Sequence, residues 1–188
     1  METLQKESPV PVFGVIDASV KVAVSQCKNG KLGLLATRAG IASGAFQKKI
    51  REAAPKINLT DVPCPKFAAM VEHGLFERRD PVVREAAEEY LPALKEAGVD
   101  TVILGCTHYP LLREVISEYI GGDVKLIDAG ASAAASLEKY LMDHGMCAEK
   151  REAVAEYYTT GDRETFAKTA CVMLKRDISQ RLYCIPSL

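Results

Sequence analysis

The sequence carries almost no net charge and has no long apolar run. Its 24 Lys and Arg residues nearly balance 25 Asp and Glu residues, which leaves a formal net charge of −1. This composition lacks the basic patch that a nucleic-acid-binding protein usually presents. No stretch approaches the length of about 20 apolar residues that a membrane span needs, and the N-terminus lacks the apolar segment of a signal peptide. We therefore expect a cytoplasmic protein with no nucleic-acid or membrane partner.

Motifs of several common ligand sites are also absent. The sequence contains no C-x-x-C pair, no Gly-rich phosphate loop and no G-x-S-x-G nucleophile turn. Six cysteines are present and are expected to be free thiols: Cys27, Cys64, Cys106, Cys147, Cys171 and Cys184. Four residues could in principle ligate a metal, namely Cys64, His73, Cys106 and His108. Their spacing differs from that of a usual zinc site, so we predict no metal.

Short β-branched runs alternate with amphipathic helical stretches along the chain. The runs predict strands at 12–16, 31–37, 57–62, 101–105, 124–127 and 155–158. This alternation predicts an α/β fold with a mostly parallel sheet flanked by helices. The residues up to about Asp128 contain enough elements for one compact domain, whereas one strand and two helices follow it. These three elements are too few for an independent hydrophobic core.

The clearest strand-to-helix junction carries Cys106. The run at 101–105 leads directly into CTHYP at 106–110, where Pro110 suits the start of a helix. Ligands bind at this edge of open α/β sheets, and the N–H groups of a helix N-terminus favour a thiolate or a bound carboxylate. Thr107 adds a hydroxyl donor and His108 an acid-base group. The junction predicts a reactive thiol, the alternative being an inert buried cysteine.

A second cysteine, Cys64, lies at a similar junction. Pro65 follows it and suits the first turn of a helix, and Glu72 and His73 lie about two turns further on. Gly74 then suits the end of that helix. From the residues alone, Glu72 and His73 are typical of a solvated helix end.

The stretch LGCTHYPLL at 104–112 closely resembles the second cysteine motif of glutamate racemases. Three further segments resemble the same family in the same order: PVFGVI at 11–16, the stretch from Cys64 to Glu72, and YTTGD at 158–162. Together they cover nearly the whole chain. The sequence has a histidine two residues after the cysteine, and in this it resembles the glutamate branch of the aspartate/glutamate racemase superfamily.

The resemblance implies a cofactor-independent isomerase that interconverts L- and D-glutamate for peptidoglycan synthesis, and so for cell-wall biogenesis and cell shape. One cysteine thiolate removes the α-proton and an opposite thiol returns a proton to the other face. The resemblance makes Cys106 the second of these cysteines, with Thr107 and His108 lining the substrate site and His108 assisting the thiol. Glu72 matches an acidic residue near that histidine. The weakly acidic α-proton requires a preorganised site with little water.

Two motifs of the family do not occur in the sequence. These are Asp-Ser-Gly and Cys-Asn-Thr, and the latter carries the first cysteine. The resemblance therefore implies an N-terminally incomplete racemase with impaired activity. Residues 1–10 would be a remnant of an N-terminal domain, 11–127 a complete α/β domain, and 128–188 a part that returns to the N-terminal domain. The alternative is a non-catalytic glutamate-binding or regulatory protein, and apolar surface left uncovered would favour a homodimer.

Overall fold

The computed structural model describes residues 2–148 and 154–186; the remaining residues of the predicted segments 1–10 and 128–188 lie outside the described ranges. The helices are α1 Glu2–Glu7, α2 Val15–Gln26, α3 Arg38–Ala42, α4 Ala45–Ala53, α5 Pro65–Glu72, α6 Pro81–Tyr90, α7 Pro92–Ala97, α8 Arg113–Ile120, α9 Ala129–Asp143 and α10 Arg163–Leu174. The strands are β1 Lys31–Ala36, β2 Asn58–Pro63, β3 Thr101–Leu104, β4 Lys125–Asp128, β5 Tyr157–Thr159 and β6 Leu182–Cys184. Short 3-10 turns occupy Tyr109–Leu112 and Ser179–Arg181.

A four-stranded sheet forms the centre of the fold. Its strand order is β2-β1-β3-β4, and every neighbouring pair is parallel. Because β1 and β3 are buried along nearly their whole length, they are apolar on both faces, as expected for a parallel sheet covered by helices. The predicted α/β fold with a parallel sheet flanked by helices is confirmed.

Alternate residues of the central strands enter two separate cores. Leu35, Val102 and Leu104 pack among residues of α5, α6, α7 and α8 on one face. Leu34 and Ile103 pack against α2 and α4 on the other face. The two-residue period of a strand therefore accounts for the two helical layers.

The predicted strand at 12–16 is wrong. Gly14 caps helix α2, which already begins at Val15. From that point the buried side chains follow the helical period: Ala18, Ser19, Val20 and Ala23 are buried. A five-residue, largely apolar run cannot distinguish a strand from the start of a buried helix, and in the structure the residues from Val15 onwards form a helix that packs against the sheet.

Two pairs of consecutive helices are separated by short breaks, and one strand was not predicted. Helices α3 and α4 are separated at Ser43 and Gly44, and the φ of Gly44, +65°, lies in the left-handed region. Helices α6 and α7 are separated at Leu91, because Pro92 has no N–H to continue the first helix and starts the second. Strand β6 lacks a long apolar run that would have indicated it.

The C-terminal elements form a second, much smaller sheet. It consists of the parallel strands β5 and β6, with α10 beside them, and α10 has no buried residue. Exposed large apolar side chains are concentrated from residue 137 onwards: Leu137, Met142, Met146, Val154, Tyr158, Phe166, Val172, Leu174, Tyr183 and Ile185. Two strands rarely provide an independently stable core.

We predict that β5 and β6 open much more readily than the central sheet. Few side chains in them are buried, Thr159 and Leu182 being the examples, so local opening exposes little apolar surface. In hydrogen exchange followed by mass spectrometry, amides of β5 and β6 should exchange roughly 100-fold faster than those of β1 and β3. Equal protection of both sheets in the monomeric chain would contradict this prediction.

Candidate active site

The carboxyl ends of the four parallel strands meet at one edge of the central sheet. Cys64 follows β2, Gly105 and Cys106 follow β3, and Ala129 follows β4. A cavity of about 230 Å³ opens at this edge. It is lined by Val15, Ile16, Gly40, Ser43, Phe46, Gly105, Cys106, Thr107, Ala129 and Gly130. Cys106 is the one titratable side chain among these lining residues.

Backbone pairing fixes the position of Cys106. The N–H of Gly105 donates to the Leu35 carbonyl at 2.8 Å, which continues the pairing of β3 with β1 by one residue. A Cβ atom at position 105 would lie only 3.0 Å from that carbonyl oxygen and from a Leu34 methyl group. Glycine therefore permits the close approach that places the next residue at the cavity.

The four predicted site residues are connected through the His108 ring. His108 Nδ1 is 3.6 Å from Cys106 Sγ and 3.4 Å from Thr107 Oγ1. On the other side of the ring, His108 Nε2 is 3.3 Å from Glu72 Oε1. Glu72 ends helix α5, so this helix brings a carboxylate to the back of the imidazole. The imidazole can therefore relay a proton between Cys106 and the Glu72 side.

Glu72 and His73 differ, although the residues alone favoured a solvated helix end for both. His73 agrees with that interpretation, since it is exposed and its Nδ1 lies 2.6 Å from the Ala69 carbonyl of its own helix. Glu72 is also largely exposed, but its carboxylate contacts His108. The resemblance, rather than the helix-end pattern, indicated this contact.

The N–H groups expected at this junction act on the Cys106 thiol, but burial has the larger effect. Burial raises the pKa of this thiol above its ordinary value, and the Glu72 carboxylate adds to the rise. The backbone N–H groups of His108, Tyr109 and Thr107 lower the pKa, but they do not offset the burial. The residues after Cys106 form a 3-10 turn, and α8 begins only at Arg113. The thiol therefore lacks the α-helix N-terminus that the sequence predicted.

Cys64 lies close to the site but not in the cavity. It is fully buried and its Sγ is 3.5 Å from the Val62 carbonyl. Burial raises the pKa of its thiol to about 12, and the nearby Cys106 contributes to the rise. Cys64 is thus a protonated core residue near neutral pH.

Several lining residues were missed from the sequence. Ile16 comes from α2, Gly40 from α3 and Phe46 from α4. The segment that follows β1 could have been expected at this edge, because all strands of a parallel sheet end on the same side. The contribution of α2 depends on packing that no local pattern indicates.

No group of three or more His, Cys, Asp or Glu residues within 2–148 and 154–186 is arranged to hold a metal ion. In the same part of the chain, no helix combines the length and apolarity needed to traverse a bilayer.

A family model described as Asp/Glu/Hydantoin racemase matches residues 1–137, which include Glu72 and the 106–108 segment. The chain belongs to this racemase family. Glutamate racemase from Enterococcus faecalis is 39% identical over 173 residues, which are 90% of this chain and 62% of that protein. Glutamate racemase from Thermoanaerobacter sp. is 33% identical over 95% of this chain and 67% of that protein. The chain thus spans about two thirds of the length of the glutamate racemases that it resembles.

Solved structures of the racemase family share the fold. A glutamate racemase isoform from Bacillus anthracis superposes with a TM-score of 0.89 at 30% identity, covering 98% of this chain and 68% of that one. A Francisella tularensis glutamate racemase, solved in complex with D-glutamate, gives a TM-score of 0.86 at 29% identity, with 98% and 67% covered. The likeness therefore extends into the C-terminal elements beyond residue 137.

The pKa directions predict an order of reactivity for the two site thiols. As the pH rises, the thiolate of Cys106 should form before that of Cys64, because Cys106 is only half buried and receives backbone N–H donors. Brief alkylation from about pH 7 to about pH 11, read by peptide mass mapping, should label Cys106 at lower pH than Cys64. The prediction fails if Cys64 is labelled first or if the two profiles coincide in the folded chain.

Proposed function

We propose that this chain carries one half of the proton-transfer machinery of a cofactor-independent glutamate racemase. The observation that carries the proposal is the Glu72–His108–Cys106 arrangement, with distances of 3.3 and 3.6 Å along it and Cys106 lining the cavity. The relatives named glutamate racemase, and the neighbour that holds D-glutamate, support glutamate as the substrate. Cell-wall biogenesis through peptidoglycan synthesis, in the cytoplasm, follows from the same resemblance.

In the proposed reaction, the Cys106 thiolate removes the α-proton of glutamate. The electron pair of the broken C–H bond passes into the α-carboxylate, so donors near this carboxylate stabilise the intermediate. Thr107 lies at the cavity and supplies a hydroxyl for this purpose. His108 accepts the thiol proton when the thiolate forms, and Glu72 stabilises the imidazolium that results.

Inversion requires a second acid on the opposite face of Cα. The lining residues include no second titratable group, and Cys64 is buried away from the cavity. The Enterococcus faecalis relative is longer than the matched segment, which spans 62% of it. We assign the second proton-transfer group to the part of such relatives that this chain does not match.

The same assignment supports the predicted domain division. The four-stranded sheet and its helices lie between residues 11 and 128, whereas the exposed apolar side chains concentrate after residue 137. Segment 128–188 would then belong to a second domain shared with segment 1–10. In the isolated chain, its apolar surface favours association into a homodimer.

One observation favours a non-catalytic glutamate-binding or regulatory protein as the second candidate. A cavity with a single titratable lining residue can bind an amino acid without completing its racemisation. Glutamate binding by calorimetry in the absence of any exchange at Cα would identify this alternative.

We predict that the 188-residue chain exchanges the α-proton of glutamate with solvent but inverts the configuration very poorly. A single thiol can remove and return a proton on one face only. Incubation in deuterated water, followed by mass spectrometry and chiral chromatography, separates exchange from inversion. Cys106→Ala should lower the exchange rate about 100-fold or more.

The matched control is Cys171→Ala, which removes a half-buried thiol of α10 and should leave exchange unchanged. Racemisation by the pure chain as fast as its exchange would contradict the one-thiol assignment. Exchange that survives Cys106→Ala would contradict the role of Cys106.

A further inference from the structure

Tyr109 connects the Cys106 turn to helix α5. It is fully buried and opens the 3-10 turn after the site. Its backbone N–H donates to the Cys106 carbonyl at 3.2 Å, and its hydroxyl donates to the Cys64 carbonyl at 2.8 Å. Cys64 is the N-cap residue of α5. One side chain therefore joins the residues that follow β3 to those that follow β2.

The bond from Tyr109 lies at one end of α5, and the His108–Glu72 contact lies at the other. The Tyr109 hydrogen bond is buried, whereas the His108–Glu72 contact is partly exposed. They attach adjacent residues of the site turn, His108 and Tyr109, to opposite ends of an eight-residue helix. Helix α5 therefore contacts both the His108 imidazole and the turn that carries it.

The ring and the hydroxyl of Tyr109 have separable functions. The ring packs edge-on against Phe67, with centroids 5.5 Å apart and planes at 90°, so it fills the core next to α5. The hydroxyl adds only the bond to Cys64, whose carbonyl also accepts the Phe67 N–H at 3.3 Å. Removing the hydroxyl should therefore leave the core filled.

The turn that Tyr109 holds also carries His108, whose Nδ1 lies 3.6 Å from the Cys106 sulfur. The backbone N–H groups of His108, Tyr109 and Thr107 lower the pKa of this thiol. The titratable groups that face this thiol are His108, Glu72, Cys64 and Tyr109. The cavity residues from α2, α3, α4 and α9 carry no ionisable side chain.

We propose that Tyr109 is a positioning residue, whose hydroxyl bond to the Cys64 carbonyl holds the turn against α5 and so keeps the His108 ring beside the Cys106 sulfur. Its effect on catalysis rests on the proposed function, whereas its effect on the thiol can be measured without substrate. Without the bond, the turn is free to move away from α5, and the His108 ring loses its position beside the thiol.

The test compares Tyr109→Phe with a matched control, Tyr90→Phe. Tyr90 packs edge-on against the same Phe67 ring at 5.3 Å, but its buried hydroxyl makes no well-formed hydrogen bond. The Lys66 backbone and the Glu89 carboxylate lie close enough to affect the pKa of Tyr90, but neither forms a well-formed hydrogen bond with its hydroxyl. Y109F thus removes a hydroxyl that forms a hydrogen bond, and Y90F removes one from the same core that does not.

Alkylation of Cys106 by iodoacetamide is followed against pH in both variants and in the unaltered chain. In Y109F the midpoint should move to higher pH, and the rate below the midpoint should fall about threefold to tenfold, as expected when one hydrogen bond is weakened. Y90F should retain the original midpoint, and the circular dichroism spectrum should be unchanged in both.

Three outcomes would overturn the proposal: an unchanged midpoint in Y109F, an equal shift in Y90F, or loss of the fold in Y109F. The last would assign the hydroxyl to stability alone. Deuterium exchange at Cα of glutamate adds a separate readout. If the unaltered chain exchanges nothing while the alkylation midpoint still moves in Y109F, the proposed function fails and the positioning role stands.

Discussion

The geometry of the site depends on the pairing of β3 between β1 and β4. Parallel pairing ends these strands at one edge, and the Gly105 N–H to Leu35 bond extends it until Cys106 reaches the cavity. A side chain at position 105 would meet the Leu35 carbonyl at 3.0 Å. Movement of the strand to relieve this contact would displace the thiol. The position of the Cys106 sulfur is therefore set by backbone hydrogen bonds and close packing.

The same placement exposes Cys106 to opposing electrostatic effects. Half burial disfavours the thiolate, and a carboxylate lies nearby at Glu72. Backbone N–H groups act in the other direction without excluding substrate, because they belong to the turn itself. Because the net effect disfavours the thiolate, its formation depends on a nearby acceptor for the thiol proton, and His108 Nδ1 lies 3.6 Å from the sulfur.

The sequence was informative where structure is local and uninformative where it depends on packing. The β-branched runs at 31–37 and 101–105 indicated the central strands, because residues buried on both faces of a sheet are continuously apolar. The run at 12–16 was assigned to a strand because a short apolar segment has no distinguishing period. Val15 and Ile16 line the cavity from a helix instead.

In the candidate site, too, features that are local in the sequence were predictable and features that depend on packing were not. The motif at 104–112 identified Cys106, Thr107 and His108 because they are neighbours in the chain. Glu72 is distant in sequence, and only the resemblance related it to the histidine. The direction of the Cys106 pKa was not predictable, since burial depends on residues from α2, α4 and α9 that surround the thiol. A local sequence pattern can therefore predict that a cysteine lies at the end of a strand, but it cannot predict the solvent exposure of its thiol.

The Glu72–His108 contact is better explained by orientation than by stability. About half of the Glu72 side chain is exposed, and pairs in such surroundings contribute roughly 0–1 kcal/mol at most. Helix α5 is held instead by the buried side chains of Phe67, Met70 and Val71. The fold would retain this helix without the carboxylate, so stability gives little reason for an acidic group at its end. What the carboxylate does determine is which imidazole nitrogen carries the proton, and hence whether the nitrogen facing Cys106 can accept one.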